Sequence, residues 1–182
     1  MGLIFGLVKL VFVLVGLVVV AAVAGVVYVV AVPADTSQCP PVTPTSATAG
    51  SIGDALSARG VVDISNGDAT AVGRGWVGST VNDFRVCFDP SAGHASGELK
   101  MGPAKVPFYL SATGADLTGR HPQILGLSFH FSGLGMDNVP DFVAGPAQSM
   151  LTTLLSDNLG SIQLSKKYTS KFAEGKVTVQ AQ

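Results

Sequence analysis

Charge is scarce in this chain: charged residues make up 13% of its 182 positions, about half the usual share. With 11 basic against 12 acidic side chains the formal net charge is −1. No basic field exists to hold a polyanion, so nucleic acid is excluded as a partner. Cysteine is as sparse. Cys39 and Cys87 stand far apart without C-x-x-C spacing, which excludes a zinc site built on them. The three histidines, His94, His121 and His130, never fall at i, i+4 on a helix or in an H-E-x-x-H context, and read as ordinary polar surface. There is no G-x-S-x-G elbow and no Walker loop. Gly73-x-Gly75-x-x-Gly78 spells a dinucleotide fingerprint, but it sits late in a short helix rather than after a strand. The expectation is a non-enzymatic protein with no metal, no cofactor and no catalytic residue.

Against that poverty stands one long apolar run. Leu10–Val32 carries 23 residues without a charge or a proline, and Lys9 is the only charge before Asp35. As a helix the run rises about 34 Å, slightly more than the hydrocarbon core of about 30 Å. Its valines weaken a helix in water, but in lipid the backbone must satisfy its own hydrogen bonds. Tyr28 suits the exit interface, and Pro33 stops the helix. Lys9 on the N-terminal flank predicts a cytoplasmic N-terminus and an extracytoplasmic C-terminal domain, periplasmic or extracellular. The run exceeds the 7–15 apolar residues of a signal peptide, so it reads as a retained signal-anchor. Ala21-x-x-x-Gly25 is a small-xxx-small pair on which another transmembrane helix can pack.

Three segments follow from this: residues 1–34 as the anchor, 35–50 as a Pro/Ser/Thr linker, and 51–182 as the extracytoplasmic domain. The linker, from Asp35 to Gly50, reads as an extended spacer that holds the domain off the bilayer. Outside the cytoplasm two thiols tend to pair, and a Cys39–Cys87 disulfide would tie this linker to the domain; the alternative is one buried and one exposed thiol.

The domain reads as α+β. A short helix over Ser51–Ala58 ends at Gly60, and a second one is capped by Ser65 with Asp68 in its first turn. Trp76 and Val77 should bury its end. Phe84–Phe88 alternates and turns through Ser91-Ala92-Gly93 into His94–Met101; Val106–Ala112 is the next strand. Ile124–Phe131 reads as one strand with Leu125, Leu127, Phe129 and Phe131 on one face. From Val139 to Asn158 the period turns helical, with Val143, Ala147, Met150, Leu151, Leu154 and Leu155 as the apolar stripe and Gly160 as the stop. Two strands close the chain, Ser161–Leu164 extending toward Tyr168, and Lys176–Gln180, turned at Glu174-Gly175. The expected architecture is a single N-terminal transmembrane helix followed by an antiparallel β-meander packed by one long amphipathic helix.

Several pieces occur in order: Phe84-Arg85-Val86-Cys87-Phe88, Ser96-Gly97-Glu98-Leu99, Val106-Pro107-Phe108, Ser132-Gly133-Leu134-Gly135 with Val139-Pro140, and Gly175-Lys176-Val177-Thr178-Val179. This series resembles that of the LmeA-like phospholipid-binding proteins of bacteria, related in shape to the tubular lipid-binding fold. The resemblance implies envelope lipid work without catalysis and transfers no signature residues. The domain here is short for a full lipid tunnel.

Two functions follow as expectations. In the first, Leu125, Leu127, Phe129, Phe131, Val143, Met150 and Leu154 line a groove for membrane lipid or another apolar molecule. In the second, the chain is an accessory subunit of a membrane complex, its helix packed through Ala21 and Gly25 against partner helices. An acyl-chain groove demands an open apolar cleft of about 300 Å³ or more.

Overall fold

The computed structural model describes residues 39–101, 104–131, 134–135, 141–164 and 166–182. Among these no helix is long and apolar enough to cross a membrane; the expected span, with Ala21 and Gly25, lies outside them.

Local capping sets the first elements. Thr48 opens α1 (Ala49–Arg59) with a reciprocal pair: its hydroxyl accepts from Ser51 N–H at 3.1 Å, and its own N–H donates to Ser51 Oγ at 2.9 Å. Gly60 takes the left-handed conformation at φ 72° and donates its N–H to Leu56 C=O, which ends the helix. The chain then runs straight into β1 (Val61–Ser65) and, without a loop, into α2 (Asn66–Val77). Ser65 caps α2 as the sequence predicts, with Asp68 returning the bond.

A single turn, Gly78–Thr80, leads to the main sheet. Its strands are β2 (Val81–Phe88), β3 (Gly93–Met101), β4 (Ala104–Ala112), β7 (Ser128–Phe131) and β8 (Leu134–Gly135), antiparallel and in that spatial order. Between β4 and β7 a small ribbon stands apart, β5 (Gly114–Asp116) against β6 (Gln123–Leu125). The long helix α3 (Asp141–Ser161) follows, and β9 (Tyr168–Ala173) and β10 (Lys176–Ala181) form the last hairpin. That hairpin joins β1, not the meander, in a separate sheet of order β1-β10-β9. The chain is thus α+β with antiparallel sheets and few helices.

Two readings of the sequence need correction here. Ile124–Phe131 is not one strand. Gly126 adopts φ 60° and lies so close to Thr113 that a Cβ would collide with its side chain. The alternation therefore breaks there, and Leu125 turns outward on the ribbon at 48% exposure. Ser161–Leu164 is not a strand either: Ser161 is the last residue of α3, beyond Gly160. Pro146 falls in the second turn of α3, so only one early hydrogen bond is lost and the helix continues.

The core lies between one face of the main sheet and α3. Val81, Ala95, Leu99, Val106, Phe108, Leu110, Phe129 and Phe131 meet Ala144, Ala147 and Leu151. Ala147 and Leu151 of the expected stripe lie on the deepest face of α3, with Ala144 beside them. Met150 is only partly buried against this core, and Leu154 and Leu155 are half-buried. Val143 belongs to the helix, but its side chain lies outside what is described.

Candidate functional site

Strand register assigns each side of the main sheet a different chemistry. Val86, Ala95, Leu110 and Phe129 stand in register on the core side. One residue along, Cys87, His94, Ser111 and Ser128 form a rung on the opposite side, and Arg85, Ser96, Tyr109 and His130 form the next. That second side is polar yet largely enclosed: Ser96 is 1% exposed, Tyr109 6% and Cys87 5%.

A chain of hydrogen bonds runs through it. Asp89, in the β2–β3 turn, lies 2.6 Å from His94 Nε2, and Tyr109 hydroxyl meets His94 Nδ1. The Asp89 carboxyl is held well below the usual carboxylate range, first by the Ser91 hydroxyl, then by His94 and the Ser91 N–H. An ionised carboxylate only accepts, so in the neutral imidazole Nε2 carries the proton and Nδ1 accepts from the phenol. The His94 and Tyr109 rings stack at 5.5 Å between centroids, and His130 tilts against Tyr109 at 6.0 Å. Ser111 and Ser128 bond each other at 2.7 Å. His130 Nδ1 is buried without a partner.

These histidines are therefore not ordinary polar surface. His94 has 13% of its side chain exposed and both nitrogens engaged, and His121 Nδ1 is bonded to Ile162 C=O at 2.8 Å. Alternation in the sequence reveals which residues share a side of a strand, but not the register that places His94, Tyr109 and His130 together. Among the described residues no three His, Cys, Asp or Glu side chains come together to hold a metal.

A pocket of about 60 Å³ opens at the seam of α2, α3 and the sheet, with Trp76 and Val77 against Phe84, Phe108, Leu151 and Leu154. Of the described side chains expected to line a groove, Leu154 alone reaches it. Phe129 and Phe131 are consumed by the core, at 9% and 0% exposure, and Leu127 and Met150 pack against it. Leu125 is exposed on the ribbon. The sequence offered Trp76 and Val77 as a buried helix end, and both are half-buried in the wall of this pocket; Gly73 and Phe84 were its missing signal.

Cys39 and Cys87 form a disulfide with Cα atoms 5.4 Å apart, within the range such bridges require. The Pro-rich stretch after it lies on the domain as well. Thr45 donates its N–H to Gly67 C=O at 3.3 Å and its hydroxyl to Asp68 at 2.7 Å. At Gly67 a Cβ would sit 2.9 Å from Thr43 C=O, so only glycine admits this approach.

No protein-family model, no curated protein and no solved structure matches this chain.

Proposed function

We propose that this chain is a non-enzymatic accessory subunit, anchored by its N-terminal apolar helix, whose extracytoplasmic domain covers the outer surface of a neighbouring membrane subunit. The observation that carries this over a lipid carrier is the pocket volume. About 60 Å³ is well under the roughly 300 Å³ at which ligand clefts begin. A whole acyl chain does not fit this seam pocket while α3 packs as it does. The disulfide agrees with an oxidising, extracytoplasmic compartment. The committed nitrogens of His94 and the paired hydroxyls of Ser111 and Ser128 favour a structural network over catalysis.

The second reading is a domain that takes lipid or another apolar molecule, as the LmeA-like resemblance implies. One observation favours it: the seam pocket is walled by Trp76, Leu151, Leu154 and Leu155 and is not filled by side chains. It would then hold the end of a chain, and more if α3 moved.

Native extraction in mild detergent separates the two. The accessory reading expects stoichiometric co-purification with at least one other transmembrane protein. A particle holding this chain alone with bound lipid would overturn it and leave the lipid reading standing.

A further inference from the structure

A spacer that holds a domain away from a membrane must be free over most of its length, and this one is fastened near its start. Val32, the last residue of the expected span, is followed by six residues before Cys39. Cys39 is fully buried and bonded to Cys87, one residue before β2 ends. Seven residue steps reach at most about 25 Å even when fully extended. Without the bridge the next fixed point is Thr45, held to Gly67 and Asp68. Thirteen steps from Val32 to Thr45 reach about 45 Å. The bond therefore removes nearly half of the available tether.

We propose that the Cys39–Cys87 bridge sets the stand-off of the domain, holding it against the membrane surface instead of letting it range on the Pro/Ser/Thr stretch. This rests on the membrane-anchored reading and adds to it a distance. Because Cys87 lies beside the β2–β3 turn, the tether leaves from that end of the main sheet. A domain kept so close can lie on a neighbouring subunit's outer surface, whereas a freely ranging one would lose most of its effective concentration there.

The full chain in vesicles carrying dansyl-headgroup lipid tests this, because Trp76 is the sole tryptophan and serves as the energy donor. The oxidised protein should show the strongest transfer of the set, compared as a ratio because Trp76 lies toward the other end of β2 from the bridge. Cys39→Ser and Cys87→Ser should each lower it at least about twofold, since the reach nearly doubles. Inserting six Gly/Ser residues between Ser37 and Gln38 keeps the bridge and adds about 20 Å of maximum reach, the same as its loss, and should lower transfer equally. Should the serine variants misfold, judged by near-UV circular dichroism, the insertion decides alone. Vesicle-bound, folded variants with unchanged transfer would overturn the stand-off while leaving the anchor intact. A chain that fails to float with vesicles at all would overturn the anchored reading, and the stand-off with it.

Discussion

Thr70 bonds both backbone groups of Val86: its hydroxyl accepts from Val86 N–H at 2.9 Å and donates to Val86 C=O at 3.3 Å. Thr70 is fully buried. Four residues earlier on α2, Asn66 Oδ1 accepts from Phe88 N–H at 3.0 Å, and four residues later Arg74 Nε donates to Phe84 C=O at 3.0 Å. One helix face, at i, i+4 and i+8, thus satisfies the outer edge of β2 from Phe84 to Phe88. An uncovered edge is a template for pairing with another chain, and here side chains replace the missing strand.

Thr70→Val keeps the shape and removes the hydroxyl. Two backbone groups of Val86 then stay enclosed without partners, and the expected loss is about 1–3 kcal/mol. Thr70→Ser retains the bonds and should lose less. Urea denaturation of both variants checks the order; equal losses would assign the effect to packing alone.

How much of this was legible in the sequence depends on how local the signal is. Ser65 with Asp68, the stop at Gly60 and the turn at Glu174-Gly175 are contained within a few residues, and the structure has them. Val61–Ser65 was missed because five residues between a helix stop and a helix cap leave no room for a pattern, and its partner β10 is over a hundred residues away. Leu125 was misplaced because alternation continues through Gly126, while the break arises from that residue's positive φ and a close approach to Thr113 that leaves no room for a Cβ. The pocket escaped for the same reason: Gly73 makes room for Phe84 only once α2 lies along β2.

Gly73 offers the sharpest test of that contact. A Cβ at this position would collide with the Phe84 ring. Gly73→Ala gains about 1 kcal/mol of helix propensity, yet displacing a ring in a packed site costs about 1–3 kcal/mol. Net destabilisation is expected, and Phe84→Leu in the same chain should relieve part of it. Thermal melts of the single and double variants measure the coupling. A stabilised Gly73→Ala would show that α2 lies further from β2.

On α3 the depth of burial should rank the losses. Leu151 is 3% exposed, so Leu151→Ala should cost about 2–5 kcal/mol. Leu154 borders the open pocket and should cost less, while Leu125→Ser on the exposed ribbon should stay within about 0.5 kcal/mol. Chemical denaturation of the three variants tests the order. A large loss at Leu125 would mean that the ribbon folds back on the core.

Acid should loosen the β2–β3 turn, and the sign follows from Asp89. Its carboxyl accepts from the Ser91 hydroxyl and N–H at 2.6 Å each and from Ala92 N–H at 3.0 Å, and it pairs with His94. These bonds depress its folded pKa below the unfolded value of about 3.9. Between the two values the unfolded chain binds more protons, so this stability is complete above about pH 4 and is lost as pH falls through the folded pKa. Asp68, lowered by the Ser65 and Thr45 hydroxyls, adds a contribution of the same sign at the cap of α2. The Asp89 side chain is 40% exposed, so water and salt screen it and its share is small. Urea midpoints taken from pH 6 down to pH 2 should fall below about pH 4. Asp89→Asn should begin lower at pH 6 and fall less steeply in acid, because the group that takes up the proton on unfolding is gone. Wild type and variant descending in parallel would show that Asp89 titrates alike in the folded and unfolded chain, and that the Asp89–His94–Tyr109 chain does not hold the turn.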